Sequence, residues 1–384
     1  MTTGISRRGF GLGGIAATMT ASLGTSLRAQ LVPARNPLLG MILAPGPKGY
    51  CDDVRVGVGT PLWSPKRREW MMWYYGKNED FDGITPTSLA SGYVALATSK
   101  DGLSWTRHPG AGPQGAIFWP SADPTAFDCL HVGVTDVTYA RGHYWMWYFG
   151  GDRTPSVDTR GNHVLGFRTL PGLAKSEDGI NWMRVPGPGP GGALFGNGGD
   201  VFASWSAVVA DRGRFLMHYT SGSGDYEVLR SHVATSHDGV TWEQQGEMRW
   251  ADGPRESDSK GIIARNLQRN PFPGQRYLMV YSGIDSNPAR FKRRSIAAAT
   301  SEDGIAWTRM FGRPFFTVDG SGGWDAGEVT APHLIVTDTD MRLYYLGGAS
   351  RDNLTGFKRG IGVAVSPGRD MMGFQRYAGA RLAV

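Results

Sequence analysis

Three short markers recur five times in one order, glycine is about twice as frequent as the usual ~7%, and no stretch beyond residue 30 keeps helical phase for long. Together these predict an all-β chain, a five-bladed β-propeller with four antiparallel strands per blade. The 384 residues include 56 Gly and 23 Pro, which call for many turns, and 13 Trp, 14 Tyr and 16 Phe, which supply a core. A collagen repeat is excluded because no G-X-Y period exists. A disulfide scaffold is excluded because 2 Cys make at most one bridge.

The first marker is a turn. Ser99, Asp101, Gly102 and Trp105 return as Ser176, Asp178, Gly179 and Trp182, then as Ser236, Asp238, Gly239 and Trp242, and again as Ser301, Asp303, Gly304 and Trp307. A decayed copy, Ser366, Asp370 and Phe374, ends the series. Asp-Gly is a hairpin dipeptide, so each copy reads as a strand, a tight turn and a second strand carrying the Trp. The second marker lies upstream: Met72-Trp73-Tyr74, Met146-Trp147-Tyr148, Met217-His218-Tyr219, Met279-Val280-Tyr281 and Leu343-Tyr344-Tyr345. The third, further upstream, aligns without gaps on Asp52, Asp128, Asp200, Asp258 and Asp325, spaced 76, 72, 58 and 67 residues apart. One copy of all three markers makes one four-stranded blade. Residues 31 to about 45 and the C-terminal segment are expected to help close the ring.

The N-terminus reads as an address. Ser6-Arg7-Arg8-Gly9-Phe10, followed by a weakly apolar run to Leu27, looks like a twin-arginine export signal over residues 1–29. The run is too broken to span a membrane. The propeller domain is then residues 30–384, and its expected location is periplasmic or secreted. The net charge of +6 falls to +3 once Arg7, Arg8 and Arg28 are set aside. The remaining basic residues form no stripe, so neither nucleic acid nor membrane is an expected partner. An oxidising compartment permits a Cys51–Cys129 disulfide between adjacent blades, which spacing alone leaves open.

Repeat phase separates scaffold from site. A residue in the same phase of every blade serves the blade, which assigns the five repeat aspartates, the turn aspartates and the turn Trp residues to the scaffold. Residues that break phase on the first strand, which lines the channel of a propeller, are the site candidates. Counted from the aspartate, one column holds Arg55, His131, Ala203, Gly261 and Glu328, and another holds Thr60, Asp136, Val208, Asn266 and His333. With Asp53 and Arg265, these columns bring seven ionisable groups towards one axis, and buried charge is costly unless paired or functional.

The repeated turns and Met/Leu-x-Tyr strands make the chain resemble the five-bladed propeller glycosidase superfamily of arabinanases, xylosidases and invertase-like fructosidases, over nearly the whole mature chain. The resemblance implies a carbohydrate-active enzyme with Asp53 as base or nucleophile, Asp136 as the aspartate that orients and tunes, and Glu328 as acid. The family's acid normally comes from the third blade, where this chain has Ala203-Ser204-Trp205-Ser206 and no carboxylate. Glu328 lies on the fifth blade, which adjoins the first. Arg55 and Arg265 are candidates to grip an ionised carboxylate or an anionic substrate, and Trp205 is a candidate stacking platform with a core role as its alternative. His131 and His333 complete the substrate-binding candidates.

Three functions stay open on the sequence. The first is a glycoside hydrolase with paired carboxylates. The second is a lyase or cyclising enzyme using His131 and a carboxylate as acid and base. The third is a glycan-binding propeller without catalysis. No cofactor is expected, and the expected partner is a carbohydrate or other small molecule. A divalent ion held by His131 and His333 with Asp136 or Glu328 is an open alternative that no short ligand spacing supports.

Overall fold

The computed structural model describes residues 36, 38–78, 92–157, 163–223, 229–287, 295–318, 320, 322–349 and 359–379. Arg7, Arg8 and the rest of the expected signal lie outside the described residues. Blade I is Arg55–Ser64, Glu69–Lys77, Tyr93–Ser99 and Thr106–Arg107. Blade II is His131–Ala140, His143–Gly151, Thr169–Ser176 and Met183–Val185. Blade III is Phe202–Asp211, Arg214–Gly222, Leu229–Ser236 and Glu243–Glu247. Blade IV is Gly261–Arg269, Tyr277–Ile284, Ser295–Ser301 and Ala306–Arg309, with Arg249–Trp250 added parallel to its outer edge. Blade V is Glu328–Val336, Asp340–Gly348 and Arg359–Pro367, and its outer edge is shared by Gln375–Arg376 and the early strand Met41–Leu43. An early strand, Met41–Leu43, and a late one, Gln375–Arg376, thus complete the last blade and close the ring.

The markers have distinct jobs, set by the alternation of side chains along a strand. In four blades the second-strand tyrosine turns into its own blade and donates to the repeat aspartate: Tyr74 to Asp52, Tyr148 to Asp128, Tyr281 to Asp258 and Tyr345 to Asp325, at 2.7–3.0 Å. An outer-strand arginine completes each clamp, with Arg107, Arg184, Arg309 and Arg376 at 2.7–3.0 Å. The preceding residue faces the neighbouring blade. Trp73, His218 and Tyr344 donate to the turn carbonyls of Gly179, Gly304 and Gly102, locking blades I to II, III to IV and V to I.

The Asp-Gly turns are longer than the expected tight hairpin. In blade I the turn spans the residues between Ser99 and Thr106, and in blades I to III the Trp sits in the turn, ahead of the outer strand. Ser99 Oγ accepts the Gly102 N–H and Asp101 Oδ1 accepts those of Leu103 and Ser104. Gly102 sits at φ +74°, a left-handed conformation that favours glycine. The turn Trp residues pack edge-on against the preceding blade: Trp182 on Trp73, Trp242 on Trp147, Trp307 on His218 and Trp105 on Tyr344. The two cysteines are unbonded, so the open disulfide is not formed.

Each inner strand carries one bulge, at residues 57–58, 135, 205–206, 263 and 331–332. An extra residue bends a strand and re-aims its side chains. Pairing with the second strand also corrects the sequence columns in blade III. Phe202, not Ala203, stands where Arg55, His131 and Glu328 stand, and Ala207, not Val208, matches Asp136 and His333. Asp200 is therefore one residue closer to its strand than the other four aspartates.

Candidate active site

The bulges line the axial channel. Its wall consists of Val58, Thr60, Thr135, Trp205, Ala264, Arg265, Ala331, Pro332 and His333, all from first strands. Trp205 and Ala331 hold φ of 51° and 49°, a strained state for side chains larger than glycine. Strain of this kind is enriched at functional sites. Three sequence candidates, Trp205, Arg265 and His333, thus share the channel.

Arg265 is buried, and its Nη atoms donate to the Tyr219 carbonyl at 3.4 Å, to the Ile262 carbonyl at 3.4 Å and to Thr220 Oγ1. Burial lowers its guanidinium to about 9. Burial also lowers His333 to about 4, so the imidazole is neutral at physiological pH. Trp205 packs against Phe202 at 5.2 Å and beside the apolar cluster of Val58, Ile263 and Ala331.

A second group of candidates gathers where blade V meets blade I. Glu328, fully buried, takes an ion pair from Arg359 Nη2 at 2.8 Å. Burial, then the like charge of Arg359, lowers Arg55 to about 10, while Tyr75 and Glu328 act the other way. Arg55 in turn faces Lys77 across the sheet, and burial followed by Arg55 lowers that ammonium. Glu328 Oε1 is held against the Arg359 guanidinium. Asp53 stands two residues ahead of the strand, where its Oδ2 accepts the Gly49 N–H at 2.8 Å. Sequence reading missed Arg359 because it lies on the third strand, outside the inner-strand columns. Its signal was register: Glu328 pairs with Gly348, and Gly348 with Arg359.

The remaining two candidates face seams between strands and blades. Asp136 accepts the N–H of Val208, on the next blade, at 2.8 Å and that of Val137 at 2.9 Å. Burial pushes its carboxyl up to about 7 against those two bonds. Asn266, in the same position on blade IV, accepts the Leu334 N–H of blade V at 3.2 Å, so this bridge also has a scaffold role. His131 is fully buried, packs edge-on to Phe149, and directs Nε2 at the Gly166 carbonyl, which accepts its proton. Burial lowers it to about 4. That commitment weakens the lyase reading, which drew on His131. Among the described residues no three His, Cys, Asp or Glu side chains are placed to hold a metal ion, and no helix is long and apolar enough to cross a membrane.

No family model matches the chain. An uncharacterised protein of Mycobacterium tuberculosis is 26% identical over 250 residues, covering 63% of this chain and 71% of its own length. Among solved structures, one comes from work describing glycoside hydrolases within the GH130 family of mannoside phosphorylases that target β-1,2 mannosidic linkages in Candida mannan. It superposes with a TM-score of 0.61 at 18% identity, covering 88% of this chain and 94% of its own. A glycosyl hydrolase from Bacteroides ovatus gives a TM-score of 0.57 at 19% identity over 86% and 91%. An N-acetylgalactosamine deacetylase from F. plautii gives 0.60 at 14% over 87% and 96%. At these identities the likeness is one of fold.

Proposed function

We propose that the protein is an exported carbohydrate-active enzyme that cleaves a glycosidic bond at the channel mouth. The observation that carries this reading is Glu328, a fully buried carboxylate on an inner strand, paired with Arg359 beside Arg55 and next to blade I. Such a group costs several kcal/mol to bury, and unlike the arginine-paired repeat aspartates it has no counterpart in the other blades, whose residues at this position are Arg55, His131, Phe202 and Gly261. The fold is shared with enzymes described as glycoside hydrolases, which is consistent with the reading.

Glycoside cleavage needs one protonated and one ionised carboxyl. In this reading Asp136, pushed up to about 7, holds the proton near neutrality, and Glu328, held by Arg359, and Asp53 are the carboxyls left for the second role. That assignment exchanges the roles the resemblance implies for Asp136 and Glu328. Arg55 and Arg265 orient charged or hydroxyl groups of the sugar, Trp205 offers a ring face, and His333 lines the channel as a neutral donor or acceptor. The twin arginines Arg7 and Arg8 direct export.

The test is sugar release from a panel of aryl glycosides and polysaccharides by the full chain. On a cleaved substrate, Glu328→Gln is expected to lower kcat/KM about 10²–10⁴-fold with the far-ultraviolet circular dichroism unchanged. A folded Glu328→Gln protein with wild-type rate removes Glu328 from the chemistry. Release from none of the panel by the wild type removes the glycosidase reading.

A further inference from the structure

The repeat that builds the ring is broken in blade III at three positions that meet in space. Two residues after the second-strand tyrosine, the other blades carry Gly76, Gly150, Gly283 and Gly347. A Cβ at any of these would come within 3 Å of the repeat aspartate's Cβ. Blade III carries Ser221. Opposite the tyrosine on the third strand, the other blades carry Ala95, Gly172, Ala297 and Gly362, and blade III carries His232. Two residues after the turn Trp, or Phe374 in blade V, the others carry the clamping arginine, and blade III carries Gln244.

The three changes rebuild the local bonding. Tyr219 donates to Gln244 Oε1 at 2.8 Å instead of to its aspartate, and His232 lies flat on the Tyr219 ring, 4.8 Å between centroids and 20° between planes. Ser221 Oγ sits between Asp200 Oδ2 and His232 Nε2, the latter at 2.8 Å. Arg230 Nη1 holds both Asp200 oxygens, at 2.8 and 3.0 Å. The Asp200 side chain is 21% exposed, against 1% for each of the other four aspartates.

The proton arrangement follows. The Ser221 hydroxyl donates to Asp200, which also accepts from Arg230, so Ser221 Oγ is left to accept the His232 Nε2–H. Nδ1 is then the ring nitrogen that takes up and releases a proton. We propose that Asp200, Ser221 and His232 form a relay of hydrogen bonds, with His232 as an acid–base group of blade III that exchanges its proton at Nδ1 and with Ser221 and Asp200 as its positioning residues. It would serve the blade whose inner strand carries no carboxylate from Phe202 to Ala210. The groups that face His232 are Glu247, its register partner on the outer strand, and Asp200, which favour the imidazolium. Arg230 and Arg265, from the third strand and from blade IV, oppose it, and burial opposes it most.

Only the choice of a glycoside as the substrate rests on the glycosidase reading. The relay itself is tested without substrate, by NMR titration of the full chain with labelled histidine, His232 being assigned by H232Q. In S221A and D200N the His232 transition is expected to move to lower pH, because the imidazolium loses an acceptor chain ending in a negative charge. An unmoved transition in both variants overturns the relay. On a glycoside that the wild type cleaves, H232Q is expected to lose about 10²–10⁴-fold in kcat/KM. S221A should move one limb of the pH profile in the direction of its NMR shift. Wild-type rates for H232Q at every pH overturn the acid–base role while the hydrolase reading stands. A wild type that cleaves nothing removes the hydrolase reading, and the titration still decides the relay. The triple variant S221G/H232A/Q244R gives blade III the residues of its neighbours, so it should melt no lower than wild type and be inactive. A stable, fully active triple variant also overturns the proposal.

Discussion

In blades I, II, IV and V the repeat aspartate, 1% exposed, is sealed between a tyrosine hydroxyl and an outer-strand guanidinium, whereas in blade III Asp200, 21% exposed, meets an arginine and a serine that bonds in turn to a histidine. The two arrangements differ in what water does to them. A sealed carboxylate has lost its hydration and depends on the partners that replace it, while an exposed pair keeps most of its hydration and is worth little. The same residue type at nearly the same place in the repeat is therefore a structural staple in blades I, II, IV and V and an accessible polar group in blade III.

The largest expected effect tests that contrast directly. Asp325→Asn leaves the Arg376 guanidinium, 13% exposed, without the carboxylate it pairs with, and breaking a buried pair costs about 3–5 kcal/mol. Asp200→Asn, facing the half-exposed Arg230, should cost about 0–1 kcal/mol. Urea unfolding of both variants is the measurement. Equal losses would show that blade III is clamped like the rest.

The seams between blades offer a second comparison. Asp136 joins blade II to blade III with a carboxyl, and Asn266 joins blade IV to blade V with an amide, each accepting one backbone N–H from the next inner strand. An amide suffices for the bridge, so the carboxyl brings a titration the scaffold does not need. Its folded value of about 7 lies above the ordinary 3.8, which means the native state holds this proton more tightly than the unfolded chain. The associated stability is full below about pH 4, declines as pH rises towards 7, and is flat beyond. Asp136→Asn removes that decline. At about 1.4 kcal/mol per unit, the stability of the variant relative to wild type should rise by a few kcal/mol from pH 4 to pH 8, above a pH-independent loss of one of the two acceptors that Val137 and Val208 use. A stability difference independent of pH would mean that Asp136 is already ionised.

The fold was legible because turn, tyrosine strand and aspartate recur in fixed order, and each recurrence repeats one set of bonds. The clamping arginine was equally visible, two residues after the Trp or Phe in four blades, but it was not read as a fourth marker. The site was less legible for two physical reasons. Ungapped counting from the aspartate fails in blade III, where Asp200 sits one residue closer to its strand, so Ala203 and Val208 were placed in columns that belong to Phe202 and Ala207. Inner-strand columns also contain no third-strand residue, which hid Arg359 and His232. Residues of one column diverge as well: Thr60 and His333 line the channel, while Asp136 and Asn266 bridge seams.

The smallest expected effect comes from moving one blade III feature into a neighbour. Gly150 of blade II occupies the position of Ser221, and a Cβ there would fall within 3 Å of the Asp128 Cβ and of the Phe127 ring. Blade III escapes this contact because Asp200 lies two residues ahead of Phe202, whereas Asp128 lies three ahead of His131 and is pinned by Tyr148 and Arg184. Gly150→Ser must therefore push a fixed aspartate or an aromatic ring aside. Overpacking of this kind costs about 1–3 kcal/mol. Thermal melting of Gly150→Ser beside Ser221→Gly separates the outcomes: the first should melt lower than wild type and the second close to it. If Gly150→Ser melts with the wild type, glycine is not required beside the clamp, and a serine at this position would say nothing about what blade III does.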